Sequence, residues 1–293
     1  MGMIEVIKPG FYTSVQDMGR VGARAFGVPI SGVMDAYSAR IANAVLGNKP
    51  QDAVLEIALG GVELLFLNQT IICLTGADFS ATLNGVPVRM NSPVHVRQGE
   101  RLRLQFPRQA ALGYCAVAGG IQTEMVLNSR SMQRGVTKEV QLKTGMLLPI
   151  TSLSGQSLVL GRLPAVDPMH FTTISLRAYA GPEFKMLQPE EESALLSGSF
   201  HLSRDCSRVG FRLAETIPYE APKPMLTSAV MPGTVQLTPS GSLIVLMRDC
   251  QVTGGYPRVL QCTEESCNRL AQKRPGDVVK FELLELEKWP EMY

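Results

Sequence analysis

The stretch that most constrains this chain is residues 242–258, where a buried-strand pattern runs directly into polar residues and paired glycines. Five consecutive apolar residues, 243–247, predict a strand that is buried on both faces. If the strand continues, polar residues at every second position point to one side of it. Paired glycines let a backbone turn sharply or lie close to a ligand. The stretch therefore predicts either the rim of a binding site or an ordinary turn after a core strand. Its polar residues, glycines and aromatic residue are Asp249, Gln251, Thr253, Gly254, Gly255 and Tyr256.

Length and charge exclude several classes of protein. A chain of 293 residues with a hydrophobic share of 45% can form one large domain or two ordinary ones. The net charge is +2 and no long basic run occurs, which argues against nucleic acid or an anionic membrane as a partner. The N-terminal residues lack a signal-peptide layout, and no apolar run reaches the roughly 18 residues of a membrane span. We expect a soluble, cytoplasmic protein.

The cysteines and histidines do not predict a metal site. Cys262 and Cys267 are five positions apart, which is not the CxxC spacing of zinc ligands. Cys73 and Cys115 lie inside apolar runs and are predicted core residues. The three histidines form no cluster in the sequence.

Three short helices are predicted between many strands. Tyr37, Ile41 and Val45 recur at helical spacing, with Ser31 or Asp35 as the candidate N-cap and a stop at Gly47. The other two helices are predicted around PEEESALLSG, with a proline in its first turn, and within TEESCNRLAQKR, capped by its threonine.

The rest of the chain reads as short strands separated by glycine. Asn84-Gly85 predicts a tight hairpin turn, and residues 122–145 predict a long loop. RQGERLRLQF in the first half resembles RPGDVVKFEL in the second, and strands ending in Gly-Gly occur in both halves. This pattern predicts a mainly β protein of two related barrel or sandwich domains. The Ser, Gly and Pro content of residues 151–170 places the boundary there, which gives domains 1–165 and 166–293.

Familiar catalytic motifs are missing from the sequence. It has no GxxxxGK[ST] or GxGxxG phosphate loop and no GxSxG nucleophile elbow. Ser129 and Ser131 have no identifiable histidine base, which favours loop serines that bond their own backbone. Several arginines lie beside small residues, where they can either bind carboxylate or phosphate or form surface ion pairs. These arginines are Arg20, Arg130, Arg208, Arg212 and Arg248, and the candidate proton-transfer acids are Asp17, Asp35 and Asp249.

Long ordered motifs carry a family resemblance over almost the whole chain. They are VQDMGRVG, GVPISGVMDAYSARIANAVLGN, LEIALGGVELLF, YCAVAGGI, SRVGFRL, VQLTPSGSLIVLMRDCQVTGGYP and a late PGD. Together they resemble the allophanate hydrolase subunit 2 family. That family includes the C subunit of the bacterial ATP-dependent 5-oxoprolinase, the Kip antagonist proteins and part of the carboxyltransferase region of urea carboxylase.

The resemblance implies a fold, a partner and a function. The fold is two cyclophilin-like β barrels with a few short helices. The leading function is that of the C subunit of 5-oxoprolinase, an amidohydrolase that opens pyroglutamate to L-glutamate. The resemblance implies that the enzyme is active only as a complex with an A subunit and a Kip inhibitor-like B subunit. ATP is its co-substrate, and no biotin attachment motif is visible in this chain. The alternatives are a carboxyltransferase component of a urea carboxylase-like biotin enzyme and a non-catalytic Kip inhibitor antagonist that regulates a sensor kinase.

The residues singled out above become site candidates for this reaction, although the sequence departs from the family in places. The catalytic candidates are Asp249, Arg20 and Asp17. The substrate-binding candidates are Gln251, Thr253, Gly254, Gly255, Tyr256, Arg208, Arg212 and Asp35. Many members read DRQTTGGYP, GSRST and AIQVPP where this chain reads DCQVTGGYP, NSRSM and TVQLTP. Cys250 and Val252 are expected on the strand face opposite the polar triplet, whereas Met132 weakens a role for its loop.

Overall fold

A computed structural model describes residues 1–152, 161, 165–219 and 225–285. The chain divides into two compact units, Met1–Phe171 and Thr172–Tyr293, here called unit 1 and unit 2. The boundary predicted between residues 165 and 166 lies just before this division, and part of the predicted boundary segment is outside the described residues.

Unit 1 is built from two antiparallel sheets and one long helix. Its strands are β1 (Gly2–Pro9), β2 (Tyr12–Gln16), β3 (Val54–Ala58), β4 (Val62–Phe66), β5 (Thr70–Gly76), β6 (Thr82–Leu83), β7 (Val86–Pro87), β8 (Val94–Val96), β9 (Arg101–Leu104), β10 (Leu112–Val117) and β11 (Leu147–Ile150). The sheet orders are β11-β1-β4-β9-β6-β7 and β2-β3-β10-β5-β8. One apolar core, which includes Ile4, Leu55, Phe66 and Leu74, draws on both sheets.

Local sequence signals explain much of unit 1. Helix α1 (Ala36–Val45) begins at Asp35, whose Oδ1 accepts hydrogen bonds from the amides of Tyr37 and Ser38. Asn84 and Gly85 both have positive φ in the β6–β7 turn, as the Asn-Gly pair predicted. The predicted core cysteines are buried, and burial raises the pKa of each thiol, Cys73 and Cys115, to about 12.

Unit 2 contains a closed seven-stranded barrel, in the order β12-β19-β16-β17-β14-β13-β20, and a two-stranded ribbon, β15-β18. The strands are β12 (Ser175–Ala180), β13 (Phe200–Cys206), β14 (Gly210–Thr216), β15 (Ser228–Ala229), β16 (Thr234–Leu237), β17 (Ser242–Leu246), β18 (Thr253–Gly254), β19 (Arg258–Cys262) and β20 (Val278–Leu284). The helix α2 (Met169–Thr172) was not predicted and begins in unit 1. The two helices that lie within unit 2, α3 (Pro189–Ser197) and α4 (Glu264–Ala271), follow the predictions. The mainly β class with a few short helices is confirmed. Among the described residues, no helix is both long and apolar enough to span a membrane.

The central strand prediction needs one correction. β17 ends at Leu246, so Asp249 and Gln251 do not continue it, and only Thr253 and Gly254 return to a strand, the short β18. The chain turns because the amide of Cys250 donates to the carbonyl of Met247, and the Cys250 side chain is buried in a small apolar cluster. Asp249 and Gln251 therefore lie on a loop, and the three polar residues do not share one face of a continuous strand.

Candidate functional site

Asp17 of unit 1 is a buried carboxylate whose hydrogen bonds join two loops. Its Oδ1 accepts from the hydroxyls of Ser129 (2.6 Å) and Ser131 (2.7 Å) and from the amide of Gly19 (2.8 Å). Its Oδ2 accepts from the amide of Arg130 at 2.6 Å. Four donors around one carboxylate hold the loop after β2 against the NSRSM loop. Both serines bind this carboxylate, and Ser129 Oγ also accepts from the Ser131 amide at 3.1 Å, as predicted for a loop serine that bonds its own backbone.

Arg20 lies in the same loop pair and is fully buried. Its guanidinium donates to the carbonyls of Val126 and Ser131 and to the side-chain oxygen of Gln133. An arginine that binds carbonyls inside the protein holds the backbone in position. From these contacts, Arg20 and Asp17 hold the two loops in position. Their predicted role in catalysis stays a prediction.

Asp35 belongs to a second buried network that sequence reasoning did not foresee. Its Oδ2 lies 2.9 Å from Nε2 of His170 and accepts from the Ser38 hydroxyl at 2.6 Å. The Tyr114 hydroxyl accepts from the Asp35 amide and donates to Glu56. Burial, then the negative charges of Glu56 and Asp35, raise the pKa of Tyr114 well above its usual value, so this hydroxyl stays protonated.

Unit 2 brings the remaining predicted residues to one side of its barrel. Arg208, in the turn before β14, binds Asp249 through two hydrogen bonds, from Nε to Oδ2 at 2.9 Å and from Nη2 to Oδ1 at 3.1 Å. The Asp249 amide also donates to the Arg208 carbonyl at 2.8 Å. A bidentate ion pair of this kind fixes the positions of both side chains. The predicted catalytic acid and a predicted substrate-binding arginine therefore bind each other.

Arg212 lies on the outer face of the same barrel. Its neighbours along β14, Phe211 and Leu213, are buried in the core, so Arg212 points outwards. Within the described part of the chain, its guanidinium makes no hydrogen bond or ion pair. A half-buried cation without a protein partner is suited to binding an anion.

The glycine-rich end of the predicted rim forms the β15–β18 ribbon and the residues after it. Ser228 pairs with Gly254 and Ala229 with Thr253. The side chain of Thr253 is exposed, as are Gly255 and Tyr256, and Gln251 is exposed in the loop before the ribbon. The ribbon lies against the outer barrel face, because a Cβ added at Gly254 would meet the side chain of Gln236, on β16, at 2.5 Å.

Two groups of residues escaped the sequence analysis. Glu56, Tyr114 and His170 each lie in a different segment, and no spacing rule joins them. Gln236 does stand in a quoted motif, TVQLTP, and its polar side chain in the middle of an otherwise buried strand was the available signal. The other arginines have protein partners: Arg130 binds the side chain of Gln122, and Arg248 that of Asn268.

Unit 1 with its two antiparallel sheets and unit 2 with its closed barrel define the class of protein, a mainly β protein of two compact units. The family described as carboxyltransferase domain, subdomain A and B, matches residues 26–283, and the chain belongs to this family.

Individual relatives agree with this membership. The chain is 33% identical to the C subunit of 5-oxoprolinase from Escherichia coli (strain K12), over 98% of this chain and 93% of the relative. It is 30% identical to urea amidolyase of Lachancea kluyveri, over 94% of this chain but 17% of the relative. Its structure matches TTHA0988 with a TM-score of 0.86 at 31% identity, and K. lactis urea amidolyase with a TM-score of 0.87 at 27% identity. Those two matches cover 96% and 97% of this chain, but only 56% of TTHA0988 and 19% of the K. lactis protein.

Proposed function

We propose that this chain is the C subunit of an ATP-dependent 5-oxoprolinase, which opens pyroglutamate to L-glutamate together with the A and B subunits in the cytoplasm. The observation that carries the proposal is Arg212, a cation without a protein partner among the described residues, on the barrel face that also holds the Thr253–Gly254 ribbon. Pyroglutamate carries a carboxylate that such an arginine can bind. Urea, the substrate of the alternative reaction, carries no charge.

The extent of the likeness supports the same choice. The match to the E. coli C subunit extends over 93% of that relative, and the match to its Haemophilus influenzae counterpart, at 30% identity, also covers 93% of its length. The matches to urea amidolyases cover 17% of those proteins. This chain therefore corresponds to nearly a whole C subunit but to only a small part of a urea amidolyase.

The reaction requires activation of an unreactive lactam. Transfer of the ATP γ-phosphoryl group to the lactam oxygen releases ADP and makes the carbonyl carbon electrophilic. Water adds to that carbon, the C–N bond breaks with protonation of the nitrogen, and the resulting acyl phosphate is hydrolysed by a second water to glutamate and phosphate. In this scheme Arg212 holds the substrate carboxylate, and Arg208, fixed by Asp249, adds positive charge near the phosphoryl group. The exposed side chains of Gln251, Thr253 and Tyr256 border the bound substrate.

The test is glutamate release from pyroglutamate and ATP by this protein with the A and B subunits, and with each of the three omitted in turn. We expect glutamate only from the complete mixture. Arg212→Gln is expected to raise KM for pyroglutamate at least tenfold, and Arg212→Lys to raise it less, because lysine keeps the charge but not the two-pronged geometry. The control is Arg204→Gln, which removes an exposed arginine from the neighbouring strand β13. Equal KM values for the Arg212 and Arg204 variants would contradict this site.

The carboxyltransferase function is the second candidate, supported by the family match and by the fold shared with urea amidolyase. It predicts activity that requires a biotinyl partner and that avidin blocks. Glutamate release that is unaffected by avidin would exclude it. A complete mixture that is silent while this protein still binds the B subunit tightly would favour the antagonist function.

A further inference from the structure

Gln236 on β16 carries a buried polar group that no protein contact satisfies within the described residues. Its side chain is 2% exposed, and Nε2 is a buried donor without a hydrogen-bond partner anywhere in the described ranges. A buried donor left unpaired costs roughly 1–3 kcal/mol, and such groups are rare in folded proteins. The other residues of the strand are buried, and two of them are apolar core residues, so a polar side chain at this position is unexpected.

The register of the barrel places Gln236 in the candidate site. Gln236 and Arg212 are each directly opposite Ile244 of β17, one on either side of it. Side chains of directly opposite residues share a face, so all three form one row on the outside of the barrel. The backbones of Gln236 and Arg212 are two strand spacings apart, about 10 Å. Long side chains from both ends of the row can therefore reach one small ligand placed above Ile244.

The next residue in the row shows a contrasting arrangement. Arg258 of β19 is opposite Gln236, at a point where the pairing register shifts. Its guanidinium is held by Glu183, at 2.8 and 2.7 Å, and by the carbonyl of Ala229 at 2.7 Å. Register shifts are frequent beside active sites, where they redirect side chains. Arg258 is fixed by the protein, whereas the side-chain amide of Gln236 is not.

The ribbon explains how a ligand would reach the amide. Nε2 lies so close to Gly254 that an added Cβ there would be 2.5 Å from it, whereas an added Cβ at Gly255 would have its nearest neighbour only at 3.9 Å. The ribbon has two residue pairs, and a two-stranded element of that size is marginally stable by itself. A small displacement of Gly254 would therefore expose the amide without opening the barrel.

We propose that Gln236 is a substrate-binding residue, whose Nε2 donates a hydrogen bond to the carbonyl oxygen of an amide or lactam bound on this face. The ligand replaces the Gly254 backbone above the amide, and its carboxylate, where it has one, binds Arg212. The inference rests on the proposed function only in identifying the ligand as pyroglutamate. The Nε2 donor could bind the carbonyl oxygen of any amide.

The first measurement is stability, with Gln236→Met and a matched control, Gln261→Met. Gln261 is on the neighbouring strand, and its amide donates to the carbonyl of Pro232 and accepts from the Thr234 hydroxyl. We expect the control to lower the thermal midpoint, because it removes satisfied hydrogen bonds. Gln236→Met is expected to leave the midpoint unchanged or raise it, because it removes an unpaired buried donor. An equal drop in both variants would assign Gln236 a structural role and overturn the inference.

The second measurement is calorimetric binding to the complex with the A and B subunits. Pyroglutamate is expected to bind about tenfold more weakly to Gln236→Met, the loss of one well-formed hydrogen bond. Cyclopentanecarboxylate, which keeps the ring and carboxylate but lacks the carbonyl oxygen, is expected to bind both proteins equally. Equal pyroglutamate affinity in both proteins would overturn the inference, because the amide would then not bind the lactam. It would leave the proposed function standing.

Urea separates failure of the inference from failure of the proposed function. If the unmodified complex binds urea but not pyroglutamate, and Gln236→Met weakens urea binding, the donor role holds and the 5-oxoprolinase proposal fails. If the unmodified complex binds neither compound, both are overturned.

Discussion

The polar loops of unit 1 and the outer barrel face of unit 2 use similar residues in opposite ways. In unit 1, the Asp17 carboxylate has four protein donors, and the Arg20 guanidinium binds two backbone carbonyls and a glutamine. In unit 2, Nε2 of Gln236 has no hydrogen-bond partner among the described residues. The ion pairs between described residues do not include Arg212 either. Polar groups with satisfied hydrogen bonds hold loops in place, whereas unsatisfied ones are available to a ligand. The comparison therefore favours unit 2 for the ligand binding that we propose.

The largest expected effect is on unit 1. Asp17→Ala removes the acceptor of four buried or half-buried donors, so it is expected to lower the free energy of unfolding by about 3–5 kcal/mol. Asp249→Ala makes the same substitution in unit 2, where the carboxylate is 14% exposed and pairs with Arg208, and is expected to cost about 1–2 kcal/mol. Denaturant unfolding of both variants measures the difference. Comparable losses would remove the distinction between the two regions.

The next effect concerns ligand binding through Gly254. A Cβ at Gly254 would lie 2.5 Å from Nε2 of Gln236, and the flexible amide would swing away from its position. Gly254→Ala is therefore expected to weaken pyroglutamate binding at least tenfold while the unfolding midpoint changes little. Gly255→Ala meets open space, and its loss of affinity is expected to be smaller. Calorimetry on both variants tests this, and a larger loss for Gly255→Ala would place the ligand on the other side of the ribbon.

The Arg208–Asp249 pair gives a smaller effect, measured as a coupling free energy. A double-mutant cycle with Arg208→Gln and Asp249→Asn is expected to give about 1 kcal/mol, since the pair is two-pronged but partly exposed. Thermal unfolding supplies the four free energies. In the reconstituted complex each single variant is also expected to lower kcat, because each disturbs the charge near the phosphoryl group. Expressed as a free energy, that loss is expected to exceed the coupling free energy of the pair. A coupling near zero would show that Asp249 does not fix Arg208.

The smallest effect is a pH dependence beside Gln236. The hydrogen bond from the Arg258 guanidinium lowers the pKa of Glu183, while partial burial opposes the shift. Because the folded pKa is lower than the unfolded one, the stabilisation is complete above the ordinary glutamate pKa of 4.5 and is lost as the pH falls through the folded value. We expect Glu183→Gln to reduce the decline in stability below about pH 4.5 by up to roughly 1 kcal/mol. Unfolding curves across that pH range measure it, and parallel curves for both proteins would refute the assignment.

The elements that the sequence predicted best were those fixed by local rules. The Asn84-Gly85 turn, the Asp35 cap and the three longer helices depend on neighbouring residues, which the sequence displays directly. The strand at 243–247 was also found, because its apolar run is unbroken. Its continuation was wrong: Cys250 is buried with Val230 and Leu246, and contacts between such distant segments leave no periodic trace.

The sequence by itself determined the family, the mainly β class and the segments that carry polar residues. Only the tertiary structure decided which of those residues satisfy each other. Asp17 and Ser131 are 114 positions apart, and Arg208 and Asp249 are 41 apart, yet each pair is joined by hydrogen bonds. Nε2 of Gln236 is one of several buried side-chain atoms without such a partner among the described residues, a property of its surroundings in space. Hydrogen bonding depends on distances between atoms that chain order does not specify, so the available donor became visible only in the folded barrel.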